Sequence, residues 1–261
     1  MRDNKIAAFG GGAVIGTLGG LIGLGGAEFR LPLLIGAFRF AALEAVILNK
    51  AMSLLVVAAA LLFRTRTISI ETVASHWDVI INLLAGSMAG AWFGAGWAMR
   101  LKSEGLYRII AVLLMLIAGA LLLGHDAGSQ GHPLFEGYAQ IIAGILAGFA
   151  IGIVASLLGV AGGELLIPTL VLLFGLDIKL AGSLSLAVSL PTMIVGFSRY
   201  TQDASFAVLG KNRTFMMVMA VGSLVGAFIG GLLLGLAPSA ILLPLLAVIL
   251  VISAVKVWRH K

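Results

Sequence analysis

The sequence predicts an all-α protein that crosses a lipid bilayer several times. Hydrophobic residues make up 61% of its 261 residues and charged residues 11%, whereas a soluble domain carries about half and about a quarter. The hydrophobic residues stand in runs of about twenty, the length that a helix needs to cross a hydrocarbon core. A duplication runs through the whole chain. Together these observations predict two inverted repeats, each a glycine-broken re-entrant helix pair followed by three transmembrane helices.

Composition also excludes several classes of protein. The chain contains no Cys, so disulfides, thiolate metal sites and cysteine nucleophiles are absent. The net charge of +6 comes from Lys and Arg residues that stand singly at the ends of apolar runs, which fits orientation in a membrane better than nucleic-acid binding. We find no H-E-x-x-H, G-x-S-x-G or P-loop pattern. We therefore expect neither an enzyme nor a bound metal or cofactor, and no nucleic-acid partner.

The duplication has an offset of 136 positions, the distance from Gly12 to Gly148, and needs no insertion. Glu and Pro match as well as Gly, which matters because acidic residues and prolines are few. Matching positions include Gly16 with Gly152, Gly26 with Gly162, Glu28 with Glu164, Pro32 with Pro168, Ser53 with Ser189, Gly86 with Gly222, and Gly90 with Gly226.

Each half begins with an apolar segment broken by glycines and continues with three unbroken spans. Glycine permits positive φ and weakens a helix, so the clusters at 23–26 and 159–163 are predicted to be turns. The segments after them are too short to span, so each pair is predicted to turn near mid-depth and leave on the side it entered. The first repeat is 1–124, with a re-entrant pair at 6–38 and spans at 42–63, 77–99 and 106–124. An external connector at 125–137 precedes the second repeat, 138–261, with a re-entrant pair at 138–175 and spans at 179–200, 213–235 and 239–257.

Three crossings per half give the halves opposite orientations, and the basic residues agree. With both termini in the cytoplasm, twelve Lys and Arg residues face inside and only Arg64, Arg66 and Lys179 face outside, as the positive-inside rule requires. If each broken segment crossed the membrane once, the basic group at 100–108 and the basic C-terminus would lie on opposite sides of the membrane, against that rule. Inverted repeats with broken helices are typical of secondary transporters, although channels share them.

The broken helices also predict a binding site. Helices that start near Ala27 and Glu164 would point bare N–H groups and a positive dipole end into the membrane interior, where an anion could bind. The site would include Gly25, Gly26, Ala27, Gly162 and Gly163. Close helix packing is the alternative for any glycine-rich membrane segment. We favour packing for the runs at 86–94 and 222–230, and the site for the two turns.

Charged residues beside these turns need a reason, because a buried charge in a bilayer costs about 3 kcal/mol on insertion scales. Glu28 and Glu164 could bind a coupling proton or cation, or could simply serve the helix N-termini as in a capping box. Arg30 could contact the anion, pair with Glu28, or snorkel to the interface. Lys50 lies within its span, and apolar Leu186 stands at the equivalent position of the second repeat. It is the cation that we most expect to contact the anion.

Four polar residues could complete a ring around the site. Asn49 and Ser53 are four apart on one helix face, as are their equivalents Ser185 and Ser189. Each Ser could instead bond its own backbone.

At these residues the chain resembles the sulfite exporter TauE/SafE family, also called the toluene sulfonate uptake permease family. That family carries a motif G-x-G-G-G-x-x-x-x-P-x-L in each half. It stands here as Gly23, Gly25, Gly26, Ala27, Pro32 and Leu34, and again as Gly159, Ala161, Gly162, Gly163, Pro168 and Leu170.

The resemblance implies transport of sulfite, sulfoacetate or a related sulfonate across a prokaryotic inner membrane, with export favoured over import. The expected partners are a small anion, the lipid bilayer and a proton or cation as co-substrate, while a homodimer stays open. Alternatives are an anion channel on the same scaffold, an importer of another organic anion, or a membrane scaffold that transports nothing.

Overall fold

Apolar runs form long helices in the computed structural model, which describes residues 5–22, 26–64, 69–123, 133–233, 248, 251–252 and 254–259. The longer helices are α1 (Lys5–Ile22), α2 (Ala27–Gly36), α3 (Ala42–Arg64), α5 (Trp77–Arg100), α6 (Ser103–Leu123), α7 (Gly137–Leu158), α8 (Gly163–Phe174), α9 (Ile178–Tyr200) and α11 (Arg213–Leu233). Short helices α4 (Ile70–Ala74) and α10 (Val208–Lys211) lie in connections. Within the described ranges there is no strand, which confirms the all-α prediction.

Five of these helices are long and apolar enough to cross a membrane. The candidate spans are Ala42–Leu61, Trp77–Arg100, Gly137–Leu158, Leu180–Tyr200 and Arg213–Gly230. These bounds support a polytopic membrane protein. Most of the predicted last span, 239–257, lies outside the described residues, although 254–258 is helical.

Two helix hairpins are built around the glycine clusters. Gly26 precedes α2 with φ 70°, and Gly159 and Gly162 lie between α7 and α8 with φ 65° and 81°. These left-handed values disfavour any residue with a Cβ, which confirms the predicted turns at these three glycines. The end of α8 returns to the start of α7, since the Gln140 side chain donates to the Leu173 carbonyl over 2.8 Å.

The first hairpin folds back in the same way. A Cβ placed on Gly11, early in α1, would lie 2.9 Å from a methyl group of Leu33, late in α2. The two arms differ in length in each hairpin. Helix α7 has 22 residues and is about 33 Å long, while α8 has 12 and is about 18 Å long. A turn at mid-depth therefore requires α7 to be tilted or to begin outside the hydrocarbon core.

Close backbone contacts join α1 to α11 and α5 to α7. A Cβ on Gly12 would lie 2.2 Å from the Met219 carbonyl oxygen, and one on Gly148 would lie 2.5 Å from that of Leu83. A Cβ on Gly86 would lie 1.9 Å from the Ile145 carbonyl oxygen, and one on Gly222 would lie 2.3 Å from the Phe9 carbonyl oxygen. Both pairs of helices run parallel, because the numbers of the contacting residues increase in the same direction along the two helices of each pair. The packing prediction for the 86–94 and 222–230 runs is confirmed at Gly86, Gly90, Gly222 and Gly226.

These two interfaces correspond residue for residue at the 136-position offset. Phe9 and Ile145 are equivalent positions, as are Leu83 and Met219. The starting helix of each half therefore packs against the fourth of the longer helices of the other half. Each hairpin is held mainly by the opposite half of the chain.

Candidate functional site

Both hairpins meet on the same stretch of α3. The Asn49 side-chain amide donates to the Ala27 carbonyl at the start of α2 and to the Leu158 carbonyl at the end of α7, both over 3.0 Å. Gly159 lies directly against α3, since a Cβ there would be 2.3 Å from the Val46 carbonyl oxygen. Asn49 therefore links the inner ends of the two hairpins.

Arg30 extends from α2 into this junction and is fully buried. Its Nε donates to Asn49 Oδ1 over 2.8 Å, its Nη2 to Ser53 Oγ over 2.7 Å and its Nη1 to Ser223 Oγ over 3.2 Å. Each guanidinium nitrogen thus has a side-chain acceptor, from α3 or α11. The snorkelling interpretation is wrong, because the side chain lies in the interior.

Glu28 lies at one side of the same junction, in the first turn of α2, and its side chain is 1% exposed. Its carboxylate interacts electrostatically with the Arg30 guanidinium. Gly25 and the side chain of Glu164 fall outside the described residues. At the second hairpin, Gly162 caps α8, which begins at Gly163.

Lys50 is also fully buried, one residue from Asn49, but it has different surroundings. Its Nζ donates to Ser156 Oγ over 3.1 Å and lies 5.9 Å from the ring centroid of Tyr200. Ser156 donates in turn to the Ala91 carbonyl over 2.9 Å, and the Tyr200 hydroxyl donates to the Ser156 carbonyl over 2.9 Å. An ammonium has three donors, and one of them has a side-chain acceptor in the described part of the chain.

Gly196 of α9 makes room for this group. A Cβ there would lie 2.7 Å from both Lys50 Nζ and Ser156 Oγ. Sequence reasoning missed Ser156, Tyr200 and Gly196. Ser156 alone carried a local signal, since it is a polar residue in an apolar run less than one turn before the glycine cluster.

The predicted serine ring separates into two kinds of contact. Ser53 and Ser189, which are equivalent in the repeat, both donate to the turn of the second hairpin, at the carbonyls of Gly159 (3.4 Å) and Ala161 (2.8 Å). Ser185 instead donates to Gly182 of its own helix over 2.9 Å. The structure therefore brings Asn49, Ser53 and Ser189 to the junction, and Ser185 satisfies its own backbone.

Cations outnumber carboxylates among the described side chains of this junction. The buried charged groups there are two cations, Arg30 and Lys50, and one carboxylate, Glu28, while the side chain of Glu164 lies outside the described residues. Two helix N-termini, at Ala27 and Gly163, add positive dipole ends nearby. Buried charge is stable only when it is compensated. An anion at the junction would provide that compensation.

Long apolar helices, paired hairpins and buried ionisable groups at their junction are features of a membrane transport protein. The sulfite exporter TauE/SafE family model matches residues 7–257, and the chain belongs to that family. The resemblance predicted from the two glycine motifs is therefore confirmed. The family places the chain among membrane transporters.

A sequence relative points the same way. The chain is 26% identical over 239 residues to the probable membrane transporter protein YunE of Bacillus subtilis (strain 168), and the match covers 84% of each chain. No solved structure matches the chain.

Proposed function

We propose that this protein is a secondary transporter that exports a small sulfur-containing anion, such as sulfite, sulfoacetate or a related sulfonate, across the inner membrane by alternating access. The observation that carries the proposal is the buried ammonium of Lys50 beside the junction of the two hairpins. The sulfur chemistry comes from the family description and is supported here only by the fit of an oxyanion to a cation and helix N-termini.

Lys50, rather than Arg30, is the proposed contact for the anion. Arg30 already donates from all three nitrogens to Asn49, Ser53 and Ser223. Lys50 donates to one hydroxyl, Ser156, so two of its donors can turn to an oxyanion. Arg30 then holds the frame of the site, and Asn49, Ser53 and Ser189 fix the hairpin ends around it.

Two inverted repeats are the proposed basis of alternating access. The support is threefold: the equivalent α1–α11 and α5–α7 contacts, the hairpins that turn back on themselves, and the excess of basic residues on one side. In this arrangement both hairpins are re-entrant, both termini are cytoplasmic, and each half can rock against the other around a fixed central site.

Proton coupling is proposed for Glu28, with Glu164 as its equivalent in the second half. Glu28 is buried two residues from Arg30, so gain of a proton would change the net charge of the junction. Such a change would alter how strongly the junction holds an anion. The co-substrate in this scheme is a proton.

Uptake and efflux measured in proteoliposomes test the proposal. Vesicles loaded with sulfite should release it with saturable kinetics, faster with a proton gradient, and sulfate or acetate should compete poorly. Lys50→Met should lower the transport rate at least about tenfold, while Gly10→Ala, a change in open space, should leave it unchanged. Flux that does not saturate and ignores the proton gradient would indicate an anion channel. Selective flux of an unrelated solute would refute the sulfur assignment.

A further inference from the structure

A cavity of about 370 Å³ opens between the C-terminal ends of α5 and α9. It is lined by Trp92, Phe93, Gly96, Trp97, Arg100 and Arg199. The two helices run parallel, because Ser87 meets Thr192 near their middles and Gly96 meets Arg199 near their ends. Both ends therefore lie at the same boundary of the membrane-spanning region.

The cavity combines cationic groups with exposed aromatic rings. Trp92, Phe93 and Trp97 are 45%, 59% and 42% exposed. Aromatic side chains of this kind concentrate where the hydrocarbon core meets the headgroups. Arg100 is the last residue of α5. No acidic side chain lines the cavity among the described residues.

Arg199 is positioned but not fully bonded. Its guanidinium lies over the ring of Trp92, 4.6 Å from the centroid, and its Nη1 donates to Gln202. Its Nε is buried and has no hydrogen-bond partner in the described part of the chain. Gly96 lies beside it, since a Cβ there would be in van der Waals contact with that Nε, at 3.5 Å. The arginine keeps donors available beside an apolar wall.

We propose that this cavity binds an anionic phospholipid, with the phosphate between Arg100 and Arg199 and an acyl chain along the aromatic side chains. Basic pockets between transmembrane helices are suited to anionic headgroups. A free phosphate ion would satisfy the two cations but leave the three rings without a partner. Stabilisation of two helix ends by their arginines would explain the charges, but not the cavity or the aromatic wall. The proposal does not depend on which anion is transported.

Binding of phosphatidylglycerol and of phosphatidylcholine with identical acyl chains tests this proposal on the purified protein in neutral detergent. The wild type should bind phosphatidylglycerol at least about tenfold more tightly. Arg100→Gln and Arg199→Gln should each abolish most of that preference. Arg108→Gln is the matched control, because Arg108 is exposed on α6 and pairs with Glu104 over 3.3 Å. It should retain the full preference.

Gly96→Leu provides a second variant that keeps both arginines and fills the cavity. It should weaken phosphatidylglycerol binding to the level of Arg199→Gln while the protein still transports its anion. Equal binding of the two lipids by the wild type would overturn the proposal. So would a preference that survives in both arginine variants, or inorganic phosphate that competes with the lipid at the same concentration.

Discussion

Arg30 and Lys50 are both buried cations of the hairpin junction, yet their side chains have different roles in the structure. Arg30 binds acceptors on two other helices through three hydrogen bonds, whereas Lys50 has one hydroxyl acceptor. Hydrogen bonds to charged groups contribute about 1.5–3 kcal/mol each. Substitution of Arg30 should therefore mainly lower the stability of the protein, and substitution of Lys50 should mainly weaken anion binding.

We expect Arg30→Met to lower the stability of the protein by at least about 3 kcal/mol, because it leaves Asn49 Oδ1 without its donor and removes the charge beside Glu28. Lys50→Met should change stability by less than about 1 kcal/mol, because Ser156 keeps its bond to Ala91 and removal of a buried charge offsets the loss of the Lys50 hydrogen bond. Apparent unfolding temperatures in detergent, measured without added anion, give the comparison. Equal stability of the two variants would contradict these roles.

Gly196 allows a finer test of the same site. In Gly196→Ala the new methyl group would stand 2.7 Å from Lys50 Nζ and Ser156 Oγ, two side-chain ends that can move. We expect about tenfold weaker anion binding, or about 1.4 kcal/mol. The fold should survive, because Ala favours a helix over Gly by about 1 kcal/mol.

Titration of the unfolding temperature with sulfite measures that affinity, since an anion at 100 times its dissociation constant stabilises by about 2.7 kcal/mol. Gly10→Ala, which meets open space, should bind as the wild type does. Unchanged affinity in Gly196→Ala would place the anion away from Lys50.

At the scale of the elements, the glycines of α5 and α11 serve packing rather than a site. A Cβ at Gly86 or Gly222 would enter the backbone of the facing helix, at 1.9 Å from the Ile145 oxygen and 2.3 Å from the Phe9 oxygen. Backbone cannot move aside as a side chain can. The two helices would have to separate along the contact.

We therefore expect Gly86→Ala and Gly222→Ala each to destabilise the protein by about 1–3 kcal/mol, the usual range for overpacking. The two losses should be similar, because the interfaces correspond at the 136-position offset. Gly10→Ala should be neutral or slightly stabilising. Unfolding curves of the three variants decide the matter, and a large loss in only one of the two interfaces would show that they are not equivalent in energy.

Sequence reasoning could recover the helical class, the glycine turns and the family, because each rests on a local pattern. Apolar runs of span length and paired G-x-x-G clusters are visible without any contact information. The partners of Arg30 could not be predicted: Ser223 is 193 positions away, and a match in the repeat does not say which helices pack together. The same limit applies to Tyr200 beside Lys50. Which Ser contacts a hairpin and which bonds its own helix also depends on packing.

At the scale of the whole molecule, inverted orientation of the two halves is the prediction that alternating access depends on. Inversion puts the loops at 101–102 and 201–212 on the same, cytoplasmic side. Parallel halves would put them on opposite sides. The parallel contacts α1–α11 and α5–α7 are compatible with both arrangements. The parallel contact of α5 with α9 favours inversion, as do the hairpins and the basic residues.

Because the chain has no Cys, single cysteines can report the side of each loop without background. Ser103→Cys and Ala204→Cys, both at exposed positions, should react with a membrane-impermeant thiol reagent only after the cells are opened. Ala74→Cys, exposed at the last residue of α4, should react in intact cells whose outer barrier is permeable. If Ser103→Cys and Ala204→Cys react from opposite sides, the halves are parallel, and the second hairpin, which lies between the two positions, is not re-entrant as proposed. Labelling of both from the cytoplasm would agree with three crossings in each half, because an odd number of crossings gives the second half the opposite orientation to the first.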